Sequence, residues 1–143
     1  MGGENHALFQ ETPMSPETHA QQKRDTHNPT IKRARYVLVA VGLLRMKDDP
    51  ILLNFFGDAL FTVIHDHTEI RAVNRYTWYG HIEGVAQGQV ILVVEDGHMA
   101  GDVRIPGHIY QIRSIHEGVH ALYEIDPSAF PPDDSLTPVP YKR

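Results

Sequence analysis

A chain of 143 residues with a formal charge of −5 and no cysteine is bounded before any motif is read. It has the length of one domain, it cannot build a disulfide framework, a thiolate zinc site or a thiol nucleophile, and its acid excess runs against a nucleic-acid binder. No apolar run approaches the ~20 residues that span a bilayer. The N-terminal residues lack the apolar core of a signal peptide, so a cytosolic chain or one whose signal has been cut is expected.

Residues 1–34 are polar, with only scattered apolar side chains, and read as a flexible tail that cannot offset the entropy of ordering. Lys32, Arg33 and Arg35 form the one basic cluster, expected to be a solvated flank. Residues 36–44 (YVLVAVGLL) are a near-continuous apolar run with the branching of a covered strand. A turn over 46–50 precedes strands at 51–56 and 59–65, separated by Gly57-Asp58, and 69–75 alternates only weakly.

From Thr77 the period is two: Trp78, Gly80 and Ile82 share one face, and Thr77, Tyr79, His81 and Glu83 the other. Residues 89–95 form the next strand, and Asp96-Gly97 supplies the positive φ angles of a tight hairpin. Met99, Gly101, Val103 and Ile105 then line one face, Pro106-Gly107 turns the chain, and 109–115 is a further strand. In the last strand, 119–125, Val119, Ala121, Tyr123 and Ile125 are expected inward and His120, Leu122 and Glu124 outward. Asp126-Pro127 stops it, because proline cannot donate into a continuing ladder. Residues 128–143 are Pro-rich and acidic, a tail or linker with Phe130 as its only large anchor. The expected fold is therefore mainly β, an antiparallel meander or small sandwich or barrel-like module over residues 35–127, between two tails.

One motif competes with that reading. His116, Glu117 and His120 spell H-E-x-x-H, which on a helix places two zinc-binding histidines one turn apart with a general base between them; Asp126 would be the third ligand. Gly118 inside the motif weakens such a helix by about 1 kcal/mol, Ile112, Ile115 and Val119 are β-branched, and Tyr123 stands where the peptidase pattern has a helix-breaking glycine. With ten histidines in the chain, the match is read as accidental and no cofactor is expected. The alternative is a small zinc-dependent hydrolase. His65 and His67 are expected on one face of a strand end, facing solvent. Ser114 and Ser128 have no nucleophile-elbow setting, and Trp78 is expected in the core.

The segments WYGHIEG (78–84), VILVVEDG (90–97), 101–110, Ile112-Arg113 and especially GVHALYEIDPSAFPP (118–132) resemble the N-terminal pro-region of bacterial secreted zinc metallopeptidases of the reprolysin-like group, and ILLNFFGD (51–58) resembles its earlier part. The resemblance implies a module that assists folding of a catalytic domain and holds it inactive, in cis or in trans, in a secreted or periplasmic setting. Without a cysteine, the zinc would need another block, which a carboxylate oxygen could supply; Asp126, Phe130, Asp133 and Asp134 are the candidate contacts. Lys142-Arg143 is a candidate processing site. A stand-alone β-module that binds another protein, through an exposed strand edge, is the third possibility.

Overall fold

The computed structural model describes residues 6–45 and 50–129. Ten strands form one sheet: β1 (His6–Ala7), β2 (Phe9–Glu11), β3 (Ile31–Val39), β4 (Ile51–Phe56), β5 (Ala59–Ala72), β6 (Arg75–Ile82), β7 (Gln89–Glu95), β8 (His98–Ile105), β9 (His108–His116) and β10 (Val119–Ile125). One helix, α1 (Pro16–Thr26), lies between β2 and β3. The strand order is β1-β4-β5-β6-β7-β8-β9-β10-β3-β2, so the antiparallel run from β4 to β10 ends on β3 and curls into a nearly closed barrel. The mainly β, barrel-like expectation holds.

The barrel is closed by a seam at Leu8. Its N–H donates to Leu52 O on β4 at 2.9 Å, and its carbonyl accepts from Ala40 N, just past β3, at 2.8 Å. The chain thus pairs parallel with β4 before Leu8 and antiparallel with β3 after it. Two side chains complete the seam where main-chain pairing fails. Asn54 on β4 accepts from Phe9 N at 3.1 Å and donates to Phe9 O at 2.9 Å, replacing a ladder rung. Arg35 reaches from β3 to the carbonyls of Asn54 and Phe55 at 2.7 and 3.3 Å.

Alternation fills the interior. Phe55, Val63, Trp78, Val90, Leu92, Met99, Val103 and Ile112 all point into one buried cluster, and the barrel is a packed core with Trp78 among its largest fully buried side chains. Gly80 makes room for that ring. A Cβ there would sit 2.7 Å from Trp78 Cζ3 and 2.7 Å from the carbonyl oxygen of Ile64. The second neighbour is backbone, and it cannot yield without disturbing β5. Gly80→Ala is therefore expected to cost about 1–3 kcal/mol of overpacking, read as a lower midpoint in urea denaturation; an unchanged midpoint would mean that the backbone gives freely there.

Several expectations are corrected. Much of the stretch assigned to a flexible tail over 1–34 is structured: β2 pairs with β3, α1 is capped by Ser15, whose side chain accepts from Thr18 N, and β3 begins at Ile31. The expected strand over 36–44 ends at Val39 and continues as a 3₁₀ turn over Val41–Arg45. The two segments at 59–65 and 69–75 are one strand, β5, up to Ala72. A bulge at Asp66 shifts the register between His65 and His67. His65 stacks on Trp78 at 5.0 Å and His67 stacks on Tyr79 at 4.4 Å; those partners alternate along β6, so the two histidines do not share a face.

Beta 10 is the largest inversion. Leu122 belongs to the barrel interior, whereas Val119, Ala121, Tyr123 and Ile125 form a second cluster with Tyr36. That second face is the outside of the barrel, covered by α1: Tyr36 and Tyr123 donate to the helix carboxylate Asp25 at 2.6 and 2.8 Å. Every residue of β10 is consequently buried. Alternation marks two faces but cannot say which one looks into the barrel. No helix among the described residues is long and apolar enough to cross a membrane.

Candidate functional site

The H-E-x-x-H residues do not lie on a helix. His116 ends β9, Glu117 and Gly118 form the hairpin turn with φ of 43° and 82°, and His120 points inward from β10. Successive positive φ values make this the same kind of tight turn as Asp96-Gly97, with φ of 52° and 85°. The zinc-helix alternative is corrected at its geometric premise. His116 Nε2 lies 3.0 Å from the Thr18 hydroxyl of α1. His120, only 1% exposed, accepts from Met99 N through Nε2 at 3.0 Å and donates from Nδ1 to the Gly118 carbonyl at 3.0 Å. Both ring nitrogens are occupied, and neither is available to a metal.

The reason His120 sits there is a gap in the ladder. Pairing of β8 with β9 runs from Gly101–Ile112 to Ile105–His108 and stops before Met99. The imidazole reaches across from β10 to satisfy the orphaned Met99 N–H. Burial pushes the His120 ring below the ordinary histidine value, aided by the neighbouring His98, although the Gly118 bond acts the other way.

At one end of the barrel, charged residues gather around a depression of about 520 Å³ floored by Phe61 and Tyr110. At its centre, Glu124 has a side chain only 6% exposed, with Arg33 Nε at 2.7 Å and Lys32 Nζ at 3.6 Å. His108 Nδ1 faces the same carboxylate at 3.2 Å. Arg33 also pairs with Asp58 at 2.8 Å and lies 4.0 Å over the ring of Phe56. The basic cluster is therefore not a solvated flank: Arg33 and Arg35 are built into the barrel mouth and seam. Burial alone would raise the Glu124 carboxyl, but the hydrogen bonds from Arg33 and His108 and the charges of Arg33 and Lys32 outweigh it and hold it below the ordinary range. A carboxylate held so is a poor proton acceptor and a good tie between β10 and β3.

At the opposite end, the tip of the β5–β6 hairpin presents apolar surface. Ile70 is 79% and Val73 89% exposed. They border a depression of about 230 Å³ that Leu44, Ala72 and Tyr76 also line. The Tyr76 hydroxyl is buried without a hydrogen-bond partner among the described residues.

Of the remaining candidates, Asp126 turns its carboxylate back on the chain, accepting from Ser128 N and Ser128 Oγ at 2.9 and 2.6 Å. Its pKa is lowered by those bonds. Phe130, Asp133, Asp134, Lys142 and Arg143 lie outside the described residues. The sequence reading missed Asp25, Arg33, Glu124 and the Ile70–Val73 tip. Only the last left a readable signal, two apolar residues beside a turn.

The fold and these sites define a side-chain-filled β-barrel, tied by ion pairs at one mouth and apolar at the other. No protein-family model matches the sequence, and no curated protein does either. A chain in a solved structure described as that of a chaperone–substrate complex shares the fold, with a TM-score of 0.58 and 10% identity over 97% of this chain and 96% of that one.

Proposed function

We propose that this barrel is a noncatalytic protein-binding module, serving as the pro-domain of a secreted zinc metallopeptidase: an inhibitor and folding aid that grips the catalytic domain in cis or in trans. The observation that carries the binding is the β5–β6 tip. Isolated apolar side chains on a surface are ordinary, but here Ile70 and Val73 stand at 79% and 89% exposure beside an apolar depression. A tip of that composition is stabilised when a partner covers it. The pro-domain identity rests on the segment resemblances, above all residues 118–132. A neighbour of the same fold described as part of a chaperone–substrate complex is compatible with a folding aid.

The test is inhibition in trans. The chain is mixed with reprolysin-like catalytic domains and residual peptidase activity is measured against inhibitor concentration. Inhibition is expected, and an Ile70→Glu, Val73→Glu variant is expected to weaken it about 30-fold or more, the loss of a single hot-spot contact of about 2 kcal/mol. Binding without inhibition would leave a module for some other partner. Equal inhibition by a folded double variant would remove the tip from the interface.

A further inference from the structure

We propose that α1 is a removable cover, and that the barrel face beneath it receives an amphipathic helix of a protein partner. This goes beyond the pro-domain reading and does not require the partner to be a peptidase.

The observation is a mismatch between a cover and what it covers. The outer face of β3 and β10 carries Tyr36, Val119, Ala121, Tyr123 and Ile125, an apolar and aromatic surface of the kind that buries helices. The helix lying on it has no apolar stripe. Its only apolar residues, Pro16 and Ala20, are exposed, and the two side chains it buries are Thr18 and Asp25. A surface helix is ordinarily held by an apolar stripe. Among the described residues this one is held by three polar contacts: Thr18 with His116 at 3.0 Å, and Asp25 with the hydroxyls of Tyr36 and Tyr123 at 2.6 and 2.8 Å.

At 11 residues, α1 is also shorter than the ~12–15 below which an isolated helix is marginal in water. Released from the sheet, it gives up little of its own, because its polar side chains are rehydrated. The face is already kept from water under α1, but a replacement helix with leucines at i, i+3, i+4 and i+7 would bury apolar side chains of its own against it, which α1 does not. The chemistry of the face specifies one more feature. Two tyrosine hydroxyls converge on a single carboxylate, and Arg113 stands opposite Ala121 on β9. The incoming helix must therefore carry an Asp or Glu within its apolar stripe, in the place of Asp25.

The experiment uses the full chain and two synthetic peptides: an amphipathic helical peptide with a leucine stripe and one Glu, and its scrambled counterpart. A Thr18→Ala, Asp25→Ala variant is compared with the parent. Two results are expected of the variant: trypsin cleavage after Lys23 and Arg24 faster by about tenfold or more, and peptide affinity tighter by about tenfold or more, since the fraction of open face rises. Bound peptide is expected to shift the NMR signals of Tyr36 and Tyr123, with no response to the scrambled peptide. A folded variant that binds neither peptide, or peptide signals confined to the Ile70–Val73 tip, would overturn the proposal while leaving the pro-domain reading intact. If the variant does not fold, hydrogen exchange of the parent decides. Amides of α1 exchanging about 100-fold or more faster than those of β10 would sustain the cover; equal protection would overturn it.

Discussion

Arg33→Ala is expected to lower the unfolding free energy by about 3 kcal/mol at neutral pH, the cost of leaving a buried charge without its closest partner. Among the described residues Glu124 would keep Lys32, half-exposed at 3.6 Å, and His108 at 3.2 Å. The charge origin can be separated from packing by acidification. In the parent, the folded carboxyl lies below its ordinary value of 4.5, so this contribution to stability is complete above about pH 4.5 and is lost as pH falls through the lower folded value. In the variant, the hydrogen bond and charge of Arg33 no longer oppose burial, so the carboxyl rises and protonation of Glu124 relieves part of the penalty. The deficit between variant and parent is therefore expected to shrink as the urea titration is moved from neutral pH to about pH 4. A deficit independent of pH would assign the loss to the contact with Phe56 instead.

His120→Ala is the second large effect, about 3 kcal/mol. Removing the imidazole strands the Met99 N–H, a buried donor worth about 1–3 kcal/mol when unsatisfied, and leaves a cavity whose lining cannot fully collapse. The ring also gives the parent a pH dependence of its own. Its folded pKa lies below the ordinary 6.5, so the neutral ring's contribution is complete above about pH 6.5 and declines as pH falls toward the folded value, where the unfolded chain takes up the proton first. His120→Gln, whose amide oxygen can accept from Met99 N, is expected to recover part of the stability and to flatten the profile in that range. Equal losses in the two variants would mean that ring volume, not the hydrogen bond, matters.

The hairpins from β6 to β10 were legible because each is bounded by local chemistry. Asp96-Gly97 and Pro106-Gly107 fix their turns within a few residues, and the period-two pattern around Trp78, Gly80 and Ile82 needs no distant partner. What escaped was decided at long range. Residues 6–34 look polar because their partners lie elsewhere in the chain: Asp25 is buried against Tyr123, Arg33 pairs with Glu124, and the Phe9 backbone bonds to Asn54. A carboxylate or guanidinium read in sequence is solvated by default, and nothing local says that a counter-charge waits on β10. The H-E-x-x-H motif shows the opposite failure. Three residues matched a helical site, but Gly118 and the residues around it fit a turn better, and the turn is what formed.

The seam at Leu8 carries a consequence for the order of assembly. From β4 to β10 each strand pairs with the one just made, so those pairings close short loops and form early. The segment from β1 to β2 must wait, because one of its neighbours is β4 and the other, β3, is itself joined to the sheet through β10. Until it docks, the facing sides of β3 and β4 are bare strand edges, the surfaces on which chains pair with one another and aggregate. The first stretch of the barrel to be synthesised is thus the last to be committed, and the time it takes to dock sets how long a newly made chain stays open to its neighbours.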